Sequence, residues 1–204
     1  MLSFALLIDG GFIKRRIGTA KQPMTASTLQ AFVDKLVKHD ALASMRLHRI
    51  YFYDAEPLRE KSDKPLQGGQ VDFGATPLAQ RSMKLHEELK RHPFFALRMG
   101  ELALGGWAVA AEKLKVNAPA VTIDAADLRP VIRQKGVDMR IGLDIASLTL
   151  KKLVDVIVLV TGDSDFVPAM KFARREGAQL YLVPLGHSVR EGMHEHADLV
   201  LDVA

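Results

Sequence analysis

Short, wholly apolar runs alternate along this chain with stretches of helical spacing, and that alternation limits the fold more than any other feature. Residues 4–8, 156–160 and 180–183 lack the regular polar positions of a strand with one wet face. Strands of that kind are expected to be covered on both faces. Between them lie helical patterns: Leu29, Phe32, Val33, Leu36 and Val37, then residues 78–91 ending before Pro93, then 139–153 and 167–176 ahead of Gly177. The stretch "LHRIYFYDA" from Leu47 is aromatic-rich and β-like, and residues 94–99 return to strand. A helix over 188–197 and an edge strand over 199–203 complete the series. Strand–helix alternation of this kind predicts an α/β fold with three α/β/α layers and a central, mainly parallel sheet.

One domain is expected over 1–204. The Gly- and Pro-rich segment 56–77 is expected to be a flexible loop, and 101–134 a variable insertion. Gly105-Gly106 is expected to turn a hairpin, with the chain returning through "WAVAAEKLKV". With 204 residues, 48% of them hydrophobic, the chain can bury a sizeable core. It contains no run long and apolar enough for a membrane span, so no membrane partner is expected. The apolar N-terminus lacks a basic leader and a cleavage site and reads as a first strand. Cysteine is absent, which excludes thiolate metal sites and fits the cytoplasmic location expected here. Lys and Arg exceed Asp and Glu by 28 to 24, an excess that permits a polyanionic partner without requiring one. The sequence is compatible with a homo-oligomer.

In an open parallel sheet, ligands meet the carboxyl ends of the strands. Asp9 ends the first strand, Asp163 and Asp165 follow "VLVT", and Asp138 opens the helix after "QKGV". Parallel strands point one way, so these four aspartates are expected at a single edge. Each also has an ordinary role open to it. Asp9-Gly10-Gly11 can form a turn, Asp138 can cap its helix, and Asp165 can cap the helix that contains Pro168. Capping leaves Asp163 unexplained, because one cap suffices for one helix. Two carboxylates ~4 Å apart repel by about 4 kcal/mol at an effective dielectric of 20, and a divalent cation turns that repulsion into ligation. Oxygen-only donors favour Mg²⁺ or Mn²⁺ over Zn²⁺.

Asp144 is placed with the acidic set in the second rank, since Asp is a poor former of helix interiors. Lys135, Thr161, Ser164 and the run Lys14, Arg15, Arg16 are candidate contacts to a phosphate-bearing substrate, against the plainer readings of solvated surface and turn. His187, His194 and His196 read as surface residues: His194 and His196 stand two apart and share no helix face.

"LLIDGGF", "QKGVDMRIGLDI" and "LVTGDSDFVPAMKFARREG", in this order, resemble the NYN-domain family of PIN-like nucleases, in particular its LabA-like branch. The resemblance implies a sheet of about five strands in the order 3-2-1-4-5, an acidic pocket that uses Mg²⁺ or Mn²⁺, and cleavage of RNA. Carried over by position, Asp9, Asp138, Asp163 and Asp165 are the catalytic and metal-binding residues, with Asp144 a further acidic member. The family often has Asn two residues after the first Asp, where this chain has Gly11. A metal-dependent ribonuclease is therefore expected. A non-catalytic module that binds nucleic acid or a nucleotide is the alternative, and an aspartate-based phosphatase built on Asp163-Ser164-Asp165 is a third.

Overall fold

A computed structural model describes residues 1–115 and 120–203. Nine strands and six helices follow one another as β1 (Ser3–Asp9), α1 (Gly10–Ile17), α2 (Ala26–Val37), β2 (Arg46–Glu56), β3 (Lys61–Asp63), β4 (Gln70–Asp72), α3 (Pro77–Leu89), β5 (Phe95–Val109), β6 (Leu128–Lys135), α4 (Val137–Leu150), β7 (Val156–Val160), α5 (Val167–Arg175), β8 (Gln179–Val183), α6 (Glu191–Glu195) and β9 (Leu199–Val200) among the described residues. Seven of the strands form one sheet in the order β6-β5-β2-β1-β7-β8-β9. Pairing is parallel from β2 through β1, β7 and β8 to β9. With β5, β7 and β8 taken as the third, fourth and fifth strands, the inner order is 3-2-1-4-5.

The described residues form two compact units. The first comprises 1–54, 85–99 and 136–204, and the second 55–84 and 100–135. In the first unit, every residue of β7 and residues Phe4 to Ile8 of β1 are fully buried. This is what the missing polar alternation requires. Alternate side chains of β1 point to opposite faces. Phe4, Leu6 and Ile8 join Phe12 and Ile13 of α1 and Leu29, Phe32, Val33 and Leu36 of α2 in one apolar cluster. α4 and α5 pack against each other and bury Ile141, Ile145, Leu148, Met170 and Ala173. Leu153, the last residue of the helical pattern over 139–153, lies beyond α4 and is 44% exposed.

The second unit departs most from the expectations. Within 56–77, β3 and β4 pair antiparallel as a separate hairpin. Gly105-Gly106 does not turn the chain: β5 runs through it to Val109. β5 then pairs antiparallel with β6 across a register shift between Leu104 and Trp107, in which the two glycines oppose Val131. Gly106 has φ +102°, a conformation that suits a bulge and that glycine adopts without cost. Residues 116–119, which include Pro119 and the end of the expected return strand, lie outside the described residues.

The turn expected at Asp9-Gly10-Gly11 is instead the start of α1, with Asp9 as its N-cap. Gly10 is needed there for space. A Cβ on it would lie 2.5 Å from the backbone oxygen of Tyr53, whereas a Cβ on Gly11 would meet the Asp9 carboxylate at 3.3 Å and the Arg15 guanidinium at 3.8 Å. Gly10→Ala is accordingly expected to cost about 1–3 kcal/mol, as overpacking against fixed backbone does. Gly11→Ala should cost less, because it meets no backbone atom and the Asp9 carboxylate need give by only a few tenths of an ångström. Urea denaturation of the two variants checks this, and equal midpoints would remove the steric account of Gly10.

Candidate active site at the carboxylate edge

β1 and β7 are adjacent and parallel, with Ile8 opposite Val160. The residues that follow them therefore emerge side by side. Asp9 accepts the backbone N–H of Phe12 at 3.0 Å and so fixes the start of α1. Its other carboxylate oxygen accepts the Thr161 hydroxyl at 3.1 Å, and the same hydroxyl oxygen accepts the backbone N–H of Asp163 at 3.2 Å. Thr161 is fully buried. Expected as a substrate contact, it instead ties the end of β1 to the loop after β7, and both its hydrogen-bonding capacities are used inside the protein.

The capping roles also differ from expectation. Asp163, not Asp165, caps the helical turn Ser164–Phe166 that leads into α5, and it accepts the backbone N–H of Asp165 at 2.9 Å. Gly136, with φ +75°, occupies the N-cap of α4, so Asp138 lies inside the first turn. Asp138 and Asp165 are exposed. Neither carboxylate has a hydrogen-bond or ion-pair partner among the described residues.

These side chains sense one another. Burial pushes the Asp9 carboxyl above its ordinary range, with the Asp138 charge adding to the shift and the bonds from Phe12 and Thr161 and the Arg15 charge opposing it. Asp138, though exposed, is likewise raised, first by partial desolvation and then by the charges of Asp163 and Asp165. Carboxylates from three separated segments therefore share one region of negative potential, with Arg15 beside it. Among the described residues, no three acidic or histidine side chains lie together as a ready-made metal-ligand set.

The remaining candidates divide. Lys14 bonds the buried carboxylate of Asp54, which also bonds His86 Nε2 at 2.6 Å. Burial alone would raise the Asp54 carboxyl, but His86 and Lys14 outweigh it and hold the group below the ordinary carboxylate range. Arg16 donates twice to the Leu185 carbonyl, at 2.7 and 3.2 Å. Arg15 and Lys135 are exposed, and Ser164 is half-buried with no side-chain bond among the described residues. Asp144, unlike Asp138 and Asp165, has bonded partners of its own. Its Oδ2 accepts Tyr53 Oη and Arg98 Nε, each at 2.9 Å, and the Arg98 guanidinium also lies 5.1 Å from the Tyr51 ring centre. Burial, then the Asp144 charge, push the Tyr53 hydroxyl pKa strongly upward.

His187 is exposed but packs edge-on to Phe12 with ring centres 5.9 Å apart. His196 is largely buried rather than on the surface: its side chain is 15% exposed, and its Nε2 lacks a hydrogen bond. Asp54 and His86 are joined only by the tertiary fold, 32 residues apart in sequence. "YDA" after an apolar strand was the one available signal.

Comparison with known proteins bears on the same segments. The NYN domain family model matches residues 103–198. That match supports the NYN family, and with it the PIN-like nucleases. It spans Asp138, Asp163 and Asp165, whereas Asp9 lies before it. A crystal structure of a protein of unknown function from Vibrio parahaemolyticus is similar at TM-score 0.53 and 13% identity, covering 100% of this chain and 93% of that chain. This likeness concerns the fold. No curated protein matches. No helix among the described residues is long and apolar enough to cross a membrane.

The Asp144 contacts carry a prediction. Asp144→Ala strands the fully buried Tyr53 hydroxyl, so it is expected to lower stability by about 1–3 kcal/mol. Adding Tyr53→Phe should recover part of that loss. Chemical denaturation of the single and double variants measures both effects, and a single variant as stable as the parent would contradict the assigned role.

Proposed function

We propose that this protein is a metal-dependent ribonuclease of the NYN family's LabA-like branch, acting at the carboxylate edge of its parallel sheet. The observation that carries the reading is the link from Asp9 through Thr161 to Asp163, with Asp138 and Asp165 left unpartnered beside it. Structural carboxylates are normally paired or used as caps. Here two of the four have no such role, and two are destabilised as anions by burial and by their neighbours.

The donor chemistry fits a hard divalent cation, because every candidate donor is a carboxylate oxygen. Asp9, Asp138, Asp163 and Asp165 would hold Mg²⁺ or Mn²⁺. Asp138 and Asp165 would lose no hydrogen bond on turning toward it. When bound, such a cation lowers the pKa of water and neutralises phosphate charge. The chain's own groups supply the rest. Thr161 fixes the direction of the Asp9 carboxylate. The cap on the turn after β7 fixes Asp163. Arg15 is an exposed cation near Asp9, suited to a phosphodiester oxygen.

Asp163→Asn is the discriminating variant. Asn also serves as an N-cap, so the turn is expected to survive. Metal-dependent cleavage of a generic RNA should fall by about 10²–10³, as when one electrostatic group of a catalytic site is removed, while the melting temperature stays close to that of the parent. Cleavage at the parental rate, or cleavage that continues undiminished in excess chelator, would contradict the proposal.

A further inference from the structure

The β5–β6 ribbon has two unlike faces. Cross-strand partners share a face, and the register pairs Leu102 with Gln134, Leu104 with Ile132, Trp107 with Pro130 and Val109 with Leu128 on one side. Trp107 on that side packs against Phe73, with ring centres 6.2 Å apart, and the Lys64 ammonium lies 5.7 Å from its ring centre. Lys64 and Phe73 thus cover the Trp107 end of this face within the second unit, while Ile132 and Gln134 stay exposed.

The opposite face pairs Glu101 with Lys135, Ala103 with Arg133 and Ala108 with Arg129. All three cations are exposed. They stand four and two residues apart along one strand, on the same side as Val131, so they form a row with steps of about 13 and 6.6 Å. Between them the facing strand offers only Ala103, Gly105, Gly106 and Ala108. The Arg133 Nε would lie 3.3 Å from a Cβ on Gly105, so that guanidinium extends across the ribbon where the bulge leaves room. Neither Arg133 nor Lys135 has an ion-pair partner among the described residues. Arg129 donates to the carbonyls of Ala126 and Leu128 at 2.6 and 3.2 Å and stands near Asp127, whose carboxylate is taken by Lys113 at 2.9 Å. Glu101 is the one carboxylate among the paired residues of this face.

We propose that this face binds the sugar-phosphate backbone of single-stranded RNA without reading its sequence. The choice of RNA as the polyanion rests on the function proposed above; the row of cations, the small residues between them and the open face are independent of it. A shallow track with three cations in one row and no aromatic ring suits a chain of phosphates. It offers no platform on which bases would stack.

The test uses the full chain carrying Asp163→Asn, so that the probe is not consumed. A short oligouridylate is titrated over a range of salt concentrations, with and without Arg129→Gln, Arg133→Gln and Lys135→Gln together. Single strands lose about 0.7 in the slope of log affinity against log salt for each phosphate contact removed. The triple substitution should therefore flatten the slope by about 2 and weaken binding on the order of 50-fold near 0.15 M salt. If the triple variant loses its fold, Arg133→Gln alone should flatten the slope by about 0.7.

An unchanged slope and affinity overturns the assignment, and so does a matched RNA duplex that binds more tightly than the single strand. Metal-dependent cleavage by the chain with Asp163 intact is scored separately. Cleavage together with unaltered binding by the triple variant refutes the ribbon alone. A flattened slope in a protein that never cleaves RNA upholds the ribbon and refutes the ribonuclease.

Discussion

The parallel pairing of β1 with β7 determines where every other group of the site can go. It brings Asp9 and the loop of Asp163 out at the same end of the sheet, and the buried Thr161 hydroxyl then locks the two together. A hydroxyl is well suited to this junction because it can donate to a carboxylate and accept from a backbone N–H at once. Close approach on the other side of β1, where Gly10 passes the Tyr53 carbonyl, sets the direction in which α1 leaves. Asp9 thus does two jobs with two oxygens: one begins a helix and the other holds the neighbouring strand end.

Charge is handled differently at the two strand ends beside β1 and β2. Asp54 is buried and fully compensated by Lys14 and His86, so it is a structural carboxylate. Lys14 is thereby engaged in an ion pair within the protein. Asp9, Asp138, Asp163 and Asp165 have no cation bonded to them among the described residues, although Arg15 lies near Asp9. Asp9 and Asp163 spend their oxygens on caps and on the Thr161 link, whereas Asp138 and Asp165 have no bonded partner among the described residues, the pattern on which the proposed function rests.

Much of this could be read in the sequence, and the failures have physical causes. The fully apolar runs of β1, β7 and β8 identified buried parallel strands, and their shared direction put the four aspartates at strand and helix ends. α1 was hidden because two glycines follow its cap and depress helix propensity. The bulge at Gly105-Gly106 carries the same dipeptide as a hairpin turn, and only the pairing with β6 distinguishes them. Asp163 and Asp165 exchanged roles because the segment starts with a tight helical turn before α5, which moves the cap back by two residues. The partners of Asp54 and Asp144 are 32 to 91 residues away in sequence, beyond any local pattern.

The central claim is that the carboxylate edge is a cation site that the fold prepares. Calorimetric titration of the protein with Mn²⁺ tests it without reference to substrate. Saturable binding is predicted in the parent chain, strongly weakened by Asp138→Asn and unaltered by Asp144→Asn. Binding that Asp138→Asn leaves intact, or a parent chain that takes up no divalent cation, would contradict it.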